Sequence, residues 1–157
     1  HTHVVRAHGF TGEVEADPAN PKSARLKLSI PANKLKVMDP QVSDADREKI
    51  QKSMEGEATL EVARFATIKF ESKSVTVKSA GEQHEVTIEG TLDLHGVQKP
   101  VRVPCVVKFS GDDLTATGEV ELKQKDFGIT PFSAGLGSIK VKNEVKVGFE
   151  IVATKKK

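Results

Sequence analysis

The run Val86-Thr87-Ile88-Glu89-Gly90-Thr91-Leu92-Asp93-Leu94, closed by His95-Gly96, decides how this chain folds. Apolar or small side chains at 86, 88, 90, 92 and 94 alternate with Thr87, Glu89, Thr91 and Asp93. That two-residue period belongs to a strand with one face toward an interior and one toward water. His95-Gly96 then supplies turn chemistry. The same pattern recurs in both directions. Upstream, Phe10, Gly12, Val14 and Ala16 alternate with Thr11, Glu13 and Glu15, and Ala24, Leu26, Leu28 and Ile30 with Arg25, Lys27 and Ser29. Ile68 and Phe70 share a face, and after Lys73-Ser74 the pattern resumes at Val75 and Val77. Downstream, Leu114, Ala116, Gly118, Val120 and Leu122 form one face of a strand, and Val145, Val147, Phe149 and Ile151 another.

Asp17-Pro18-Ala19-Asn20-Pro21, Ser79-Ala80-Gly81-Glu82, His95-Gly96 and Gly111-Asp112-Asp113 separate these runs as turns. Short connections favour antiparallel neighbours, so the chain reads as one sheet of long strands in a meander. One segment departs from the period. Ser43 is suited to cap a helix, Asp44 and Asp46 fall in its first turn, Ile50 and Met54 share a face, and Gly56 ends it. Residues 57–64 suit either a strand, from Leu60 and Val62, or a short helical turn, from Glu57-Ala58.

The bulk properties narrow the function classes. The 157 residues fit one domain, 1–157, with 37% hydrophobic and 29% charged residues and a net charge of +2. The basic run Lys155-Lys156-Lys157 reads as a solvated tail. Seven Phe with no Trp or Tyr give no base-stacking platform, so no nucleic-acid partner is expected. The single cysteine, Cys105, excludes an internal disulfide and sits in the apolar stretch Val103 to Val107, where a buried, inert thiol is expected. No stretch has the apolar length of a membrane-spanning helix, so stable membrane insertion is not expected. Composition does not mark a compartment.

Strands of about ten residues span about 30 Å. Left flat, such a sheet would have one wet apolar face and two exposed edges, and one short helix could not cover that face. Closure into a barrel buries the face and removes the edges. The fold class expected is therefore all-β: a closed antiparallel β-barrel of about eight strands, lipocalin-like, with one or two short helices between strands. The inward positions include the small residues Gly12, Ala16, Ala24, Ser72, Gly90, Ala116 and Gly118. They imply either internal room for an apolar ligand or bends where strands curl to close. On the first reading the wall residues are Phe10, Val14, Leu28, Phe70, Ile88, Leu92, Ala116, Val120, Val147 and Phe149. Phenylalanine at Ala116 or Gly118 would then fill the room and leave the fold intact.

Four segments carry a family resemblance. Gly90-Thr91-Leu92-Asp93-Leu94-His95-Gly96-Val97-Gln98-Lys99-Pro100-Val101 resembles a hallmark of the YceI-like family, a strand ending in a His-Gly-Val turn followed by a basic residue and proline. Phe65-Ala66-Thr67-Ile68-Lys69-Phe70-Glu71-Ser72 is similar to the family's entry into a strand, with Ala66 where the family has proline. Lys125-Asp126-Phe127-Gly128-Ile129 resembles its Asp-Phe-Gly-Ile turn, and His1-Thr2-His3-Val4-Val5 with Phe10-Thr11-Gly12 the start of a subgroup. The resemblance implies a lipocalin-like eight-stranded barrel of bacterial periplasmic or secreted proteins. It further implies binding of polyisoprenoid or related lipid-like molecules in the interior. The family's first strand is expected ahead of His1.

Catalytic constellations are absent from the sequence. Ser133-Ala134-Gly135-Leu136-Gly137 has neither a nearby histidine nor a βαβ unit, and Asp112-Asp113 is a hairpin turn. His1, His3 and His8 have the residue types of a divalent-metal or haem site but no acidic or cysteine ligand close in sequence. His95 is expected to hydrogen-bond turn backbone. The reading is a non-catalytic binding or carrier protein for a long apolar ligand, with no cofactor besides an isoprenoid or lipid-like guest, and with room for a homodimer. Its rivals are a filled β-barrel that serves as an interaction module and a metal or haem site at the N-terminal histidines.

Overall fold

Each alternating run becomes a strand in the computed structural model, which describes residues 5–17, 19–79, 83–131, 133–134, 139–140 and 142–155. The elements are β1 (Val5–Ala7), β2 (Thr11–Glu15), β3 (Arg25–Pro31), β4 (Leu35–Val37), α1 (Asp44–Glu55), β5 (Thr67–Ser79), β6 (Gln83–Leu94), β7 (Val97–Ser110), β8 (Asp113–Lys123), β9 (Ser133–Ala134), β10 (Ile139–Lys140) and β11 (Glu144–Thr154). Seven strands form one curled antiparallel sheet in the order β11-β8-β7-β6-β5-β3-β2. Neighbours in the sheet follow one another in the chain, apart from two insertions: β4 with α1, and the β9–β10 pair. The meander read from short turns is therefore present.

The step in hydrophobic pattern at Lys73-Ser74 is a β-bulge. Ser72 pairs with Gly90 and Ser74 with Glu89, so Lys73 is the extra residue and the alternation restarts on the same face at Val75. The Ser72 hydroxyl accepts the Leu26 N–H at 2.8 Å, giving a partner to a backbone group next to the bulge. Outside, strands oppose unlike charges: Lys69 faces Asp93, Arg102 faces Glu89, and Lys146 faces Glu121.

The helix begins as read. The Ser43 hydroxyl accepts the Asp46 N–H at 3.1 Å, with Asp44 and Asp46 in the first turn. The helix also ends as read, at Gly56, which caps it in an extended conformation with φ −78°. Residues 57–64 are neither strand nor helix but turns that fold back, Leu60 N–H donating to Met54 O and Val62 N–H to Glu55 O. No α1 residue is fully buried. The helix serves β4 instead of the sheet: the Gln51 side chain accepts from Val37 N–H at 2.8 Å and donates to Leu35 O at 2.9 Å. One amide thus does for β4 what a neighbouring strand would do, on the side opposite β1, which pairs Val5 with Val37.

Closure is where expectation and structure part. Among the described residues β2 and β11 pair on one side only, so the ladder does not run around a full ring. The chain exposes 10566 Å², against about 7,700 Å² for a compact monomer of this mass. The eighth strand is not among these elements.

One end of the curl is tied by a knot of loops. His95 and Gly96 have φ of 56° and 72°, Glu61 48° and Gly128 70°. The His95 ring stacks on Phe65 with centroids 4.6 Å apart, and its Nδ1 donates to Phe127 O at 3.0 Å. A Cβ at Gly96 would run into the Phe65 ring, so that position combines a left-handed backbone with a close approach. Phe127 and Ile129 are 2% and 3% exposed, among the most buried side chains described. His95→Leu removes a cross-loop hydrogen bond from a buried carbonyl. The expected loss is about 1–3 kcal/mol in urea denaturation, with apolar-probe binding by the folded protein unchanged.

Candidate functional site

The register assembles a largely apolar face from all seven strands, interrupted where Leu92 faces exposed Lys99. Gly12 faces Leu28, Leu28 faces Phe70, and Phe70 faces Leu92. A second row joins Val77, Val86, Cys105, Gly118 and Phe149, and Val120 faces Val147 beside it. The buried members Ser72, Val86, Cys105 and Ala116 identify it as the inner face of the curl. All strand residues expected to form the wall stand here: Val14, Leu28, Phe70, Ile88, Leu92, Ala116, Val120, Val147 and Phe149. Phe10 lies just ahead of β2 and is 45% exposed. The same parity adds Leu26, Val86, Val103, Val107 and Ile151, legible in the same alternation but not singled out from it.

This face is apolar yet poorly covered. No large side chain among the described residues is fully buried; Val145 and Val147 are 37% and 38% exposed, and Leu28, Phe70, Val120 and Phe149 are half-buried. Two open recesses of about 420 and 450 Å³ are lined mainly by outward residues, among them Lys27, Lys69 and Glu71 in one and Lys73, Glu89 and Arg102 in the other. Neither is an enclosed chamber.

The glycines do not create the room. A Cβ at Gly90 would meet Phe70 Cζ at 2.6 Å, and one at Gly118 would strike Pro104 O and meet Phe149 Cζ at 2.7 Å. Each glycine is a notch already occupied by a phenylalanine ring from a neighbouring strand, which packs flat where a side chain would push it away. Of the other small positions, Ser72 serves the bulge, while Ala16 lies outside β2 and is exposed. The room comes from the uncovered curl itself. For the same reason Gly118→Phe would break the fold, contrary to the expectation from sequence.

Cys105 is 6% exposed, and burial pushes its thiol up to about 11, because the thiolate loses hydration. A buried, unreactive thiol is what the apolar stretch implied. Of the histidines read as metal ligands, His1 and His3 lie outside the described residues and His8 is exposed. Among the described residues no group of three or more His, Cys, Asp or Glu side chains could hold a metal ion. Gly135-Leu136-Gly137 also lies outside the described residues, as do Pro18, Ala80-Gly81-Glu82 and Lys156-Lys157. No described helix is long and apolar enough to cross a membrane.

The family model of the YceI-like domain matches residues 1–153. The chain belongs to the YceI-like family. A UPF0312 protein of Shewanella oneidensis is 30% identical over 132 residues, covering 80% of this chain and 63% of the relative. Protein YceI of Salmonella arizonae is 33% identical over 129 residues, 77% of this chain and 60% of the relative. The chain thus spans less than two thirds of the length of these YceI-like relatives. Among solved structures, Burkholderia cenocepacia BcnA superposes with TM-score 0.78 at 21% identity, over 96% of this chain and 87% of BcnA. A polyisoprenoid binding domain from Saccharophagus degradans, implicated in plant cell wall breakdown, does so with TM-score 0.65 at 19% identity, over 94% and 83%. At these identities the likeness is one of fold. Three of the four segments that resemble the YceI-like family meet in the loop knot, where His95-Gly96 touches both Phe65 and Phe127-Gly128.

Two outcomes check the inner face. Gly118→Phe is expected to cost about 2–4 kcal/mol or to prevent folding, while Gly148→Ala, where an added Cβ meets nothing within 4 Å, stays within about 0.5 kcal/mol; urea midpoints compare them. Cys105 should resist Ellman's reagent at pH 8 in the folded protein. Its rate should climb about tenfold per pH unit until the thiol titrates near 11, since only the thiolate attacks. Rapid labelling at pH 8 would contradict that burial.

Proposed function

We propose that this YceI-like protein binds a long apolar molecule, isoprenoid or otherwise lipid-like, along the inner face of its curled sheet and performs no chemistry on it. The observation that carries this reading is the uncovered apolar face, in which Leu28, Phe70, Val120 and Val147 remain in part open to solvent. A half-wet wall of this kind gains from any guest that displaces water, by about 0.8 kcal/mol per buried CH₂ before ordering costs. The solved polyisoprenoid binding domain with the same fold supports the choice of guest. In this reading an eighth strand between β11 and β2 completes a lipocalin-like barrel, and the guest lies lengthwise inside it as cargo for carriage or sequestration. A periplasmic or secreted setting is proposed with it, on the family resemblance. The filled-barrel rival is disfavoured by the same open face.

Organic extraction of the purified protein followed by mass spectrometry is expected to release a long-chain apolar compound. Refilling is expected to be measurable with N-phenyl-1-naphthylamine, whose emission rises when it moves from water to an apolar site. Val147→Lys places a charge on a position already 38% exposed. It should weaken the probe about tenfold, since the ammonium must stay hydrated, with the urea midpoint nearly unchanged. Ala116→Phe should also weaken it, by filling the wall between Val107 and Ile151. Undiminished binding in both variants would move the site off this face.

A further inference from the structure

Among the described residues, the inner face carries one buried polar side chain with an atom that has no hydrogen-bond partner. The buried polar residues among those described are Asp39, Ser72 and His84. Ser72 is engaged by Leu26 N–H, and the Asp39 carbonyl receives the Arg47 guanidinium. His84 is 9% exposed, and its Nδ1 is buried with no hydrogen-bond partner. Its ring neighbour is Phe109, edge-on with centroids 5.6 Å apart, which offers no conventional donor or acceptor.

The position of His84 in the sheet matters as much as its burial. In β6 it alternates with exposed Gln83 and Glu85 and shares parity with buried Val86, so it stands on the inner face. Across the register it faces Val107, which faces Ala116, which faces Ile151. It is thus the one polar member of an otherwise apolar row of the proposed wall. It stands near the start of β6, beside the β7–β8 turn and at the opposite end of β6 from His95. A buried polar atom left unpaired is costly, and a leucine would pack there without that cost. Apolar ligand sites commonly hold such a lone polar group, which fixes the orientation of the guest.

We propose that His84 is the polar anchor of the binding face: the guest is an amphiphile with one uncharged head, a hydroxyl or carbonyl, hydrogen-bonded to His84 Nδ1 and with its chain laid along the wall. The inference rests on the proposed binding function and adds the chemistry and orientation of the ligand. An uncharged head follows from the row itself, since Val107, Ala116 and Ile151 offer nothing to compensate a buried charge. A neutral imidazole suits either head, because Nδ1 accepts from a hydroxyl in one tautomer and donates to a carbonyl in the other.

Displacement of N-phenyl-1-naphthylamine by farnesol and by β-farnesene, which has a similar chain and no head, tests the anchor. His84→Leu is expected to weaken farnesol about tenfold and to leave β-farnesene unchanged or slightly tighter. Equal effects on both compounds, or none on either, would overturn the anchor and leave the binding face standing. Failure of both compounds to compete for the unmodified protein would overturn the binding function and the anchor together. If the leucine variant does not fold, ¹⁵N-histidine NMR of the unmodified protein decides. A shift of His84 Nδ1 with farnesol but not with β-farnesene supports the anchor. An equal response to both, or none to either, shows no contact specific to the head and overturns it.

Discussion

A single antiparallel sheet has two faces, and among the described residues no second layer covers the apolar one. The seven strands build an apolar face from Gly12 across to Phe149, while α1, the one α-helix among the described residues, buries no residue and spends its one long amide, Gln51, on the edge of β4. Without a second layer, curling is the remaining way to shield that face. The bulge at Lys73 and the paired notches at Gly90 and Gly118 serve the curl: the bulge sharpens the local twist, and the notches let strands crowd their neighbours' rings. What the curl leaves uncovered is the space in which a guest would lie.

Three of the segments that resemble the family lie in a different part of the molecule. Phe65, His95, Gly96, Phe127 and Gly128 are brought together from three separate segments at one end of the sheet. There the backbone takes left-handed conformations at His95 and Glu61, which ordinary side chains avoid. His95 donates from Nδ1 to Phe127 O, which leaves Nε2 bare, 3.9 Å from the Glu61 carboxylate. The demands on these residues are conformational: a ring that fits over a glycine, a donor that spans two turns, a residue that tolerates positive φ. The signature records how the end of the curl is tied.

Much of the fold was legible because the two-residue period is a direct consequence of strand geometry. Even the discontinuity at Lys73-Ser74 was visible, as a bulge must insert one residue into the alternation. The Ser43 cap was readable from local chemistry alone. Other features depend on contacts made far along the chain. Gly118 reads as empty space until Phe149, from a strand three connections later, is seen to lie over it. Residues 57–64 were ambiguous because their turns exist only by folding back on the carbonyls of Met54 and Glu55. Closure was argued from the need to bury a face, and that need does not specify which strand meets the free edges. His84 was one histidine among five until the register placed it on the apolar side.

The proposed wall and the fold share residues, and on the proposed function this would shape how such a protein could change its guest. Phe70 fills the notch at Gly90 and Phe149 the notch at Gly118, so either ring supports the curl with one surface and offers the other to the interior. Replacing them would alter curvature and binding together. Val145 and Val147, by contrast, lie near the free edge at β11, more than a third exposed, and take no part in a notch. Substitutions there change the lining at little cost to the sheet. Because burial of an apolar chain is non-directional, such changes tune how much guest surface is covered more than which guest is chosen. Discrimination between guests of equal length therefore has to come from polar positions or from the shape of the closed end, where a single group can distinguish one head from another.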